Sequence, residues 1–107
     1  KTNADCWTKK LADKSVPIRL MAAYRLAQMK GPDSAKARAA FAQYAGDKDL
    51  VVRNAILFGL RRVGDKSVIP ALEKAKAEDE ARVKKKLKQY AGAANALKMT
   101  IVQLENR

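Results

Sequence analysis

The sequence has 107 residues, with 23 Lys and Arg against 11 Asp and Glu, a formal net charge of +12. It contains one Cys and no His, and 48% of its residues are hydrophobic. No apolar run reaches the roughly 18 residues of a membrane span, the missing His removes the commonest general base and metal ligand, and the lone Cys6 cannot form an internal disulfide.

Aromatics make up 6%, with 5 Gly and 3 Pro, a composition that predicts an all-helical chain. Its length predicts a single domain over residues 1–107. The chain begins at Lys1 rather than Met, which implies a removed leader or a cut from something longer, so the compartment stays open. The charge exceeds what solubility requires. It favours acidic partners, whether protein, nucleic acid or anionic lipid.

Turn signals divide the chain at Ala12–Ser15, Lys30–Asp33, Ala45–Asp47, Val63–Lys66 and Ala77–Asp79. The first segment, Ala4–Leu11, carries Trp7 and Leu11 four apart. It reads as the second helix of a preceding unit, with Trp7 covering the end of a stack and Cys6 as a small apolar residue. The next segment opens with Asp13–Leu26, DKSVPIRLMAAYRL. Asp47–Leu60, DKDLVVRNAILFGL, repeats it 34 residues later with Asp, Lys, Arg and the final Leu in place. Such a period marks a helical solenoid, in which each unit buries its apolar face only against its neighbours.

Helical spacing puts Ile18, Ala22, Leu26 and Met29 on the inner face of the first unit. Val52, Ile56, Leu60 and Val63 do the same in the second, with Ala55 and Gly59 allowing close approach. The intervening helices contribute Phe41 and Tyr44, then Ile69, Leu72 and Ala75. Pro17 and Pro70 fall near helix starts, where a missing N–H costs little.

At the C-terminus Val83, Leu87, Tyr90, Ala94, Leu97, Ile101 and Leu104 alternate in steps of four and three, a heptad seam. Residues 79–106 form either one helix of about 40 Å or two helices broken at Ala91-Gly92-Ala93, with Asn95 as the second cap. The broken form is the expectation, because two helices complete a third unit. The seam also offers a route to self-association.

The paired segments resemble HEAT repeats, particularly the short units of the phycobilisome-lyase type. Ile18-Arg19, Ala22 and Leu26, then Val52-Arg53, Ile56 and Leu60, carry the likeness. Gly64-Asp65 and Val68–Leu72 match the second half of a unit. The resemblance covers roughly Trp7 to Lys76 and implies a short α-α superhelix of about three helix pairs with capping terminal helices. It also implies that Asp13, Asp47 and Asp79 form a ladder with Arg19 and Arg53 that holds the units in register.

No enzyme is expected. One Cys and three Ser lack a His partner, no Gly-rich phosphate loop occurs, and Glu78-Asp79-Glu80 reads as an acidic helix N-terminus. No metal or cofactor is expected either.

Three surfaces are candidates for partner binding. Tyr24 and Phe58 each lie two residues, about 200°, past the core positions Ala22 and Ile56, so both rings point outward. Arg61 and Arg62 follow Phe58 by one turn. Lys36, Arg38, Lys66, Lys74 and Lys76 lie on the second-helix side, the concave face of a solenoid. Lys84 and Lys85, with Lys86 and Lys88, form a third basic cluster. The first expectation is a module that binds an acidic protein or peptide. The alternative is nucleic acid on the basic concave face.

Overall fold

A computed structural model of the chain describes residues 3–107. The elements are α1 (Asn3–Lys10), α2 (Val16–Ala27), α3 (Pro32–Tyr44), α4 (Leu50–Val63), a 3₁₀ turn (Lys66–Val68), α5 (Ile69–Lys84) and α6 (Tyr90–Glu105). Lys1 and Thr2, where the question of a leader arises, lie outside the described residues.

The helix starts follow from local chemistry. Ser15 caps α2, its hydroxyl accepting from the Ile18 N–H. Asp49 caps α4 by accepting from the N–H groups of Val51 and Val52 at 3.0 and 3.1 Å. Asp65 caps the 3₁₀ turn through Ser67. Proline stands in the first turn of α2, α3 and α5. The repeated Asp13 and Asp47 are not caps. Each accepts the N–H two residues on, from Ser15 at 2.8 Å and Asp49 at 2.9 Å, and so shapes the turn before the cap.

The helices stack in two layers. α2 packs on α4 and α4 on α6; α1 packs on α3 and α3 on α5. The Cα envelope measures 43 × 34 × 15 Å. Its short dimension fits two helices about 10 Å apart, each with a Cα radius of about 2.3 Å. α1 shares a layer with the second helices, as the reading of Ala4–Leu11 requires.

Between the layers lie Leu11, Leu26, Phe41, Ile56, Leu60, Leu72, Leu97 and Leu104, all buried. Small residues set the spacing. A Cβ placed on Gly59 of α4 would sit 2.5 Å from Cε2 and Cζ of Phe41 on α3, so the ring packs flush on bare backbone.

Several sequence expectations are corrected. Ile18 is 38% exposed, whereas its counterpart Val52 is fully buried. Val52 is covered by α2, the neighbour before it in the first-helix layer; among the described residues α2 has no such neighbour. Ala77-Glu78-Asp79 is no turn and no helix start: α5 runs through it, because Asp79 points inward to Arg53.

The C-terminal break falls at Lys85–Gln89 and not at Gly92, which lies within the first turn of α6. There Leu87 N–H donates to Arg82 C=O at 3.0 Å and Lys86 N–H to Val83 C=O at 2.9 Å. With Lys86 at φ 70°, this is a Schellman ending. Asn95 is therefore inside α6 and caps nothing. The heptad divides in consequence. Leu97, Ile101 and Leu104 are buried in the chain's own core, while Leu87 sits exposed in the turn.

Candidate partner-binding surfaces

Arg19 and Arg53 occupy equivalent places in α2 and α4, and each reaches one unit forward. Arg19 grips Asp47 with Nε to Oδ2 at 3.0 Å and Nη2 to Oδ1 at 3.3 Å. Its Nη1 donates to the Asp13 and Lys14 carbonyls. Arg53 pairs with Asp79 through Nη1 and donates Nε to the Asp47 carbonyl at 3.1 Å. Asp79 also accepts from Arg82 at 2.7 Å. The Tyr90 ring lies against both guanidiniums, 5.8 Å from Arg53 and 4.9 Å from Arg82. The carboxylate of Asp13, the first in the series, has no arginine partner among the described residues.

Tyr24 and Phe58 are about half exposed and border one depression between α2 and α4, shared with Val51, Asn54 and Ala55. The two arginines after Phe58 diverge. Arg62 turns back and donates Nε to Ala27 C=O at 3.2 Å, closing the C-terminus of α2. Arg61 reaches Thr100 of α6 at 3.4 Å. Both remain exposed in the last turn of α4.

The second-helix cations are engaged unevenly. Arg38 bonds the Val63 carbonyl at 2.8 Å and lies 3.4 Å from Asp65. Lys36 stands 3.4 Å from Asp5, and Lys76 stands 3.7 Å from Glu80. Lys74 lines a cleft together with Asp47, Lys48 and Glu78. Lys66 lies in the 3₁₀ turn. The third cluster straddles a boundary: Lys84 ends α5 beside Lys76 and Lys98, and Lys85 begins the turn.

The acidity of Asp65 is perturbed. The Ser67 hydroxyl, then the Ser67 N–H, hold its carboxyl below the ordinary 3.8; burial opposes them, and the charge of Arg38 adds a lesser lowering effect. Cys6 is exposed on α1. Trp7 is half-buried, with Lys10 and Arg25 over its ring at 5.5 and 5.9 Å. Among the described residues no group of three His, Cys, Asp or Glu could hold a metal ion, and no helix is long and apolar enough to cross a membrane.

Sequence reasoning missed Met21, Val51, Met99 and Val102, all exposed on the first-helix layer. The signal was present for two of them. Met21 lies one turn before Tyr24, and Val51 two turns before Phe58, on the same outward stripe. Tyr90 was read as a seam residue; its place against two arginines has no trace in the local sequence.

Two helix layers, with arginines reaching from one unit to the aspartate of the next, define an α-solenoid of helical repeats. Residues 4–91 match the family model of HEAT repeats, and the chain belongs to that family. The match is to HEAT repeats as such and does not extend to the phycobilisome-lyase type. HEAT repeats generally mediate protein–protein interaction and are typically non-catalytic. No curated protein and no solved structure matches the chain.

Proposed function

We propose that this chain is a non-catalytic protein-binding module whose partner presents an acidic surface. The observation that carries the reading is the division of charge between the layers. α2 and α4 contain no Asp or Glu, and α6 only Glu105 at its end, while arginines line the first two. On the second-helix side Glu73, Glu78, Asp79 and Glu80 of α5 answer Lys74, Lys76, Arg82 and Lys84. Arg19 and Arg53 are paired with Asp47 and Asp79, but the positive charge of Arg25, Arg61 and Arg62 beside half-exposed apolar residues attracts an acidic protein, which burial then holds.

The same division weighs against nucleic acid on the second-helix face. That face interleaves carboxylates with its cations, and a phosphate backbone would meet both. The test is affinity capture from extract with and without nuclease, followed by a salt series. The expected result is a nuclease-resistant protein whose contact segment is acidic and whose binding weakens with salt. Loss of capture on nuclease treatment, with a shift of generic duplex at low salt, would overturn the reading.

A further inference from the structure

The large apolar side chains left in solvent fall mainly on one layer. Met21 and Tyr24 of α2, Val51 and Phe58 of α4, and Met99 and Val102 of α6 are between 41% and 61% exposed. α1, α3 and α5 expose none to that degree among the described residues. Tyr24 and Phe58 flank a depression of about 310 Å³, with Ala55 and Asn54 also lining it. A second depression shares Tyr24 and continues over Met21 and Pro17. The first is a trough between α2 and α4; the second extends past Tyr24 along α2 alone.

The direction of the trough is fixed by its ends. Arg19 of α2 meets Asp47 just before α4, and Ala27 at the end of α2 meets Arg62 at the end of α4. The two helices therefore run parallel. Arg62 closes the C-terminal end against Ala27, with Arg25 beside it on the Trp7 side and Arg61 on the Thr100 side. At 1.5 Å per residue, Val51 to Phe58 give the trough a length of about 10 Å along α4.

We infer that this trough docks an acidic amphipathic helix of a partner protein, antiparallel to α2 and α4, with its acidic first turn over Arg25, Arg61 and Arg62. The inference rests on the acidic-partner reading above and names its site and its form. A helix fits because the trough is walled by helices whose backbone groups are already paired, so an extended strand finds no edge to join. The antiparallel sense sets opposite helix dipoles together and places first-turn carboxylates, favoured there by the partner's own dipole, over the arginines. Asn54 at the trough needs a polar partner, which a helix side chain supplies and a lipid acyl chain does not. A second copy of this chain brings the same residues and no carboxylate for the arginines.

The experiment is selection of a random display library of peptides about 16 residues long on the immobilised full chain, followed by anisotropy titration of the enriched peptides. Enrichment is expected for apolar residues at i, i+3/i+4 and i+7 with Asp or Glu in the first turn. Tyr24→Ser and Phe58→Ser should each weaken binding by about tenfold or more with an unchanged melting temperature, since both side chains are half exposed. Arg61→Glu should weaken acidic peptides selectively.

Acidic peptides that ignore Tyr24→Ser and Phe58→Ser but are lost with Lys74→Glu would overturn the site and leave the acidic-partner reading standing. Enrichment of peptides without acidic residues would overturn both. Binding of phosphatidylserine vesicles that Phe58→Ser abolishes, with no peptide enriched, would overturn the inference in favour of a membrane. A concentration-dependent mass abolished by Phe58→Ser would overturn it in favour of self-association.

Discussion

Arg53 of α4 and Asp79 of α5 form an ion pair closed off from solvent, their side chains 1% and 0% exposed. Arg19 and Asp47 repeat the pairing one unit earlier at 16% and 9%. The chemistry is the same and the burial is not. Arg53 also leaves Nη2 buried without a hydrogen-bond partner. Removing one member of a buried pair strands the other charge, which costs about 3–5 kcal/mol, whereas a pair in partial contact with water is worth about 1 kcal/mol or less. Asp79→Asn should therefore lower the unfolding free energy by about 3 kcal/mol or more, and Asp47→Asn by about 1 kcal/mol. Urea titration reads both. Equal losses would mean that burial does not set the strength of the pairs.

The flush contact between Phe41 and Gly59 gives a second prediction. Gly59→Ala adds a methyl where the ring already lies, and Phe41 is fully buried with nowhere to turn. Overpacking of this kind costs about 1–3 kcal/mol, more than the helix-propensity gain of about 1 kcal/mol from replacing glycine. Phe41→Leu alone should also destabilise, but combined with Gly59→Ala it should cost less than the sum. Strict additivity in denaturant melts would show that the two residues do not share the space.

Lys86 is the only non-glycine among the described residues with positive φ, at 70°. It holds the position of the Schellman ending where glycine is usual. A left-handed conformation costs an L-residue about 1–2 kcal/mol, and the Lys86 side chain is exposed. Lys86→Gly should raise stability by about 1 kcal/mol. A drop in melting temperature would mean that the lysine side chain makes a contact worth more than the strain.

The repeat made α2 and α4 legible, because a 34-residue offset with Asp, Arg and Leu in place is set by packing between like units. What depends on position within the stack was not legible. Ile18 and Val52 have the same local pattern, and only the presence of a covering helix buries one of them. Asp79 sits in a run of acids that looks like a helix start, yet its partner 26 residues away draws it into the middle of α5. The turn at Lys85–Gln89 contains neither Gly nor Pro, so sequence punctuation pointed instead to Gly92. The outward direction of Tyr24 and Phe58 follows from the helical angle alone. That they border one trough with Val51 and Asn54 follows from the parallel packing of α2 on α4, which periodicity does not specify.

Asp65 gives the last prediction, on pH. Its carboxyl is held below 3.8 in the folded chain, first by the Ser67 hydroxyl, then by the Ser67 N–H and the charge of Arg38. A depressed carboxyl favours the folded state above the ordinary value and loses that contribution as pH falls through the folded value. The stability difference between the wild type and Asp65→Asn should therefore be flat from neutral pH down to about pH 5 and shrink below 3.8. The group is exposed, so the difference is small and best read as paired thermal melts across the acid range. The order of causes can be tested as well. Ser67→Ala should remove more of the acid-side slope than Arg38→Ala, and added salt should leave most of it, because the Ser67 hydrogen bonds outweigh the charge of Arg38. A slope abolished by Arg38→Ala or by salt, and untouched by Ser67→Ala, would make the arginine's charge the principal cause.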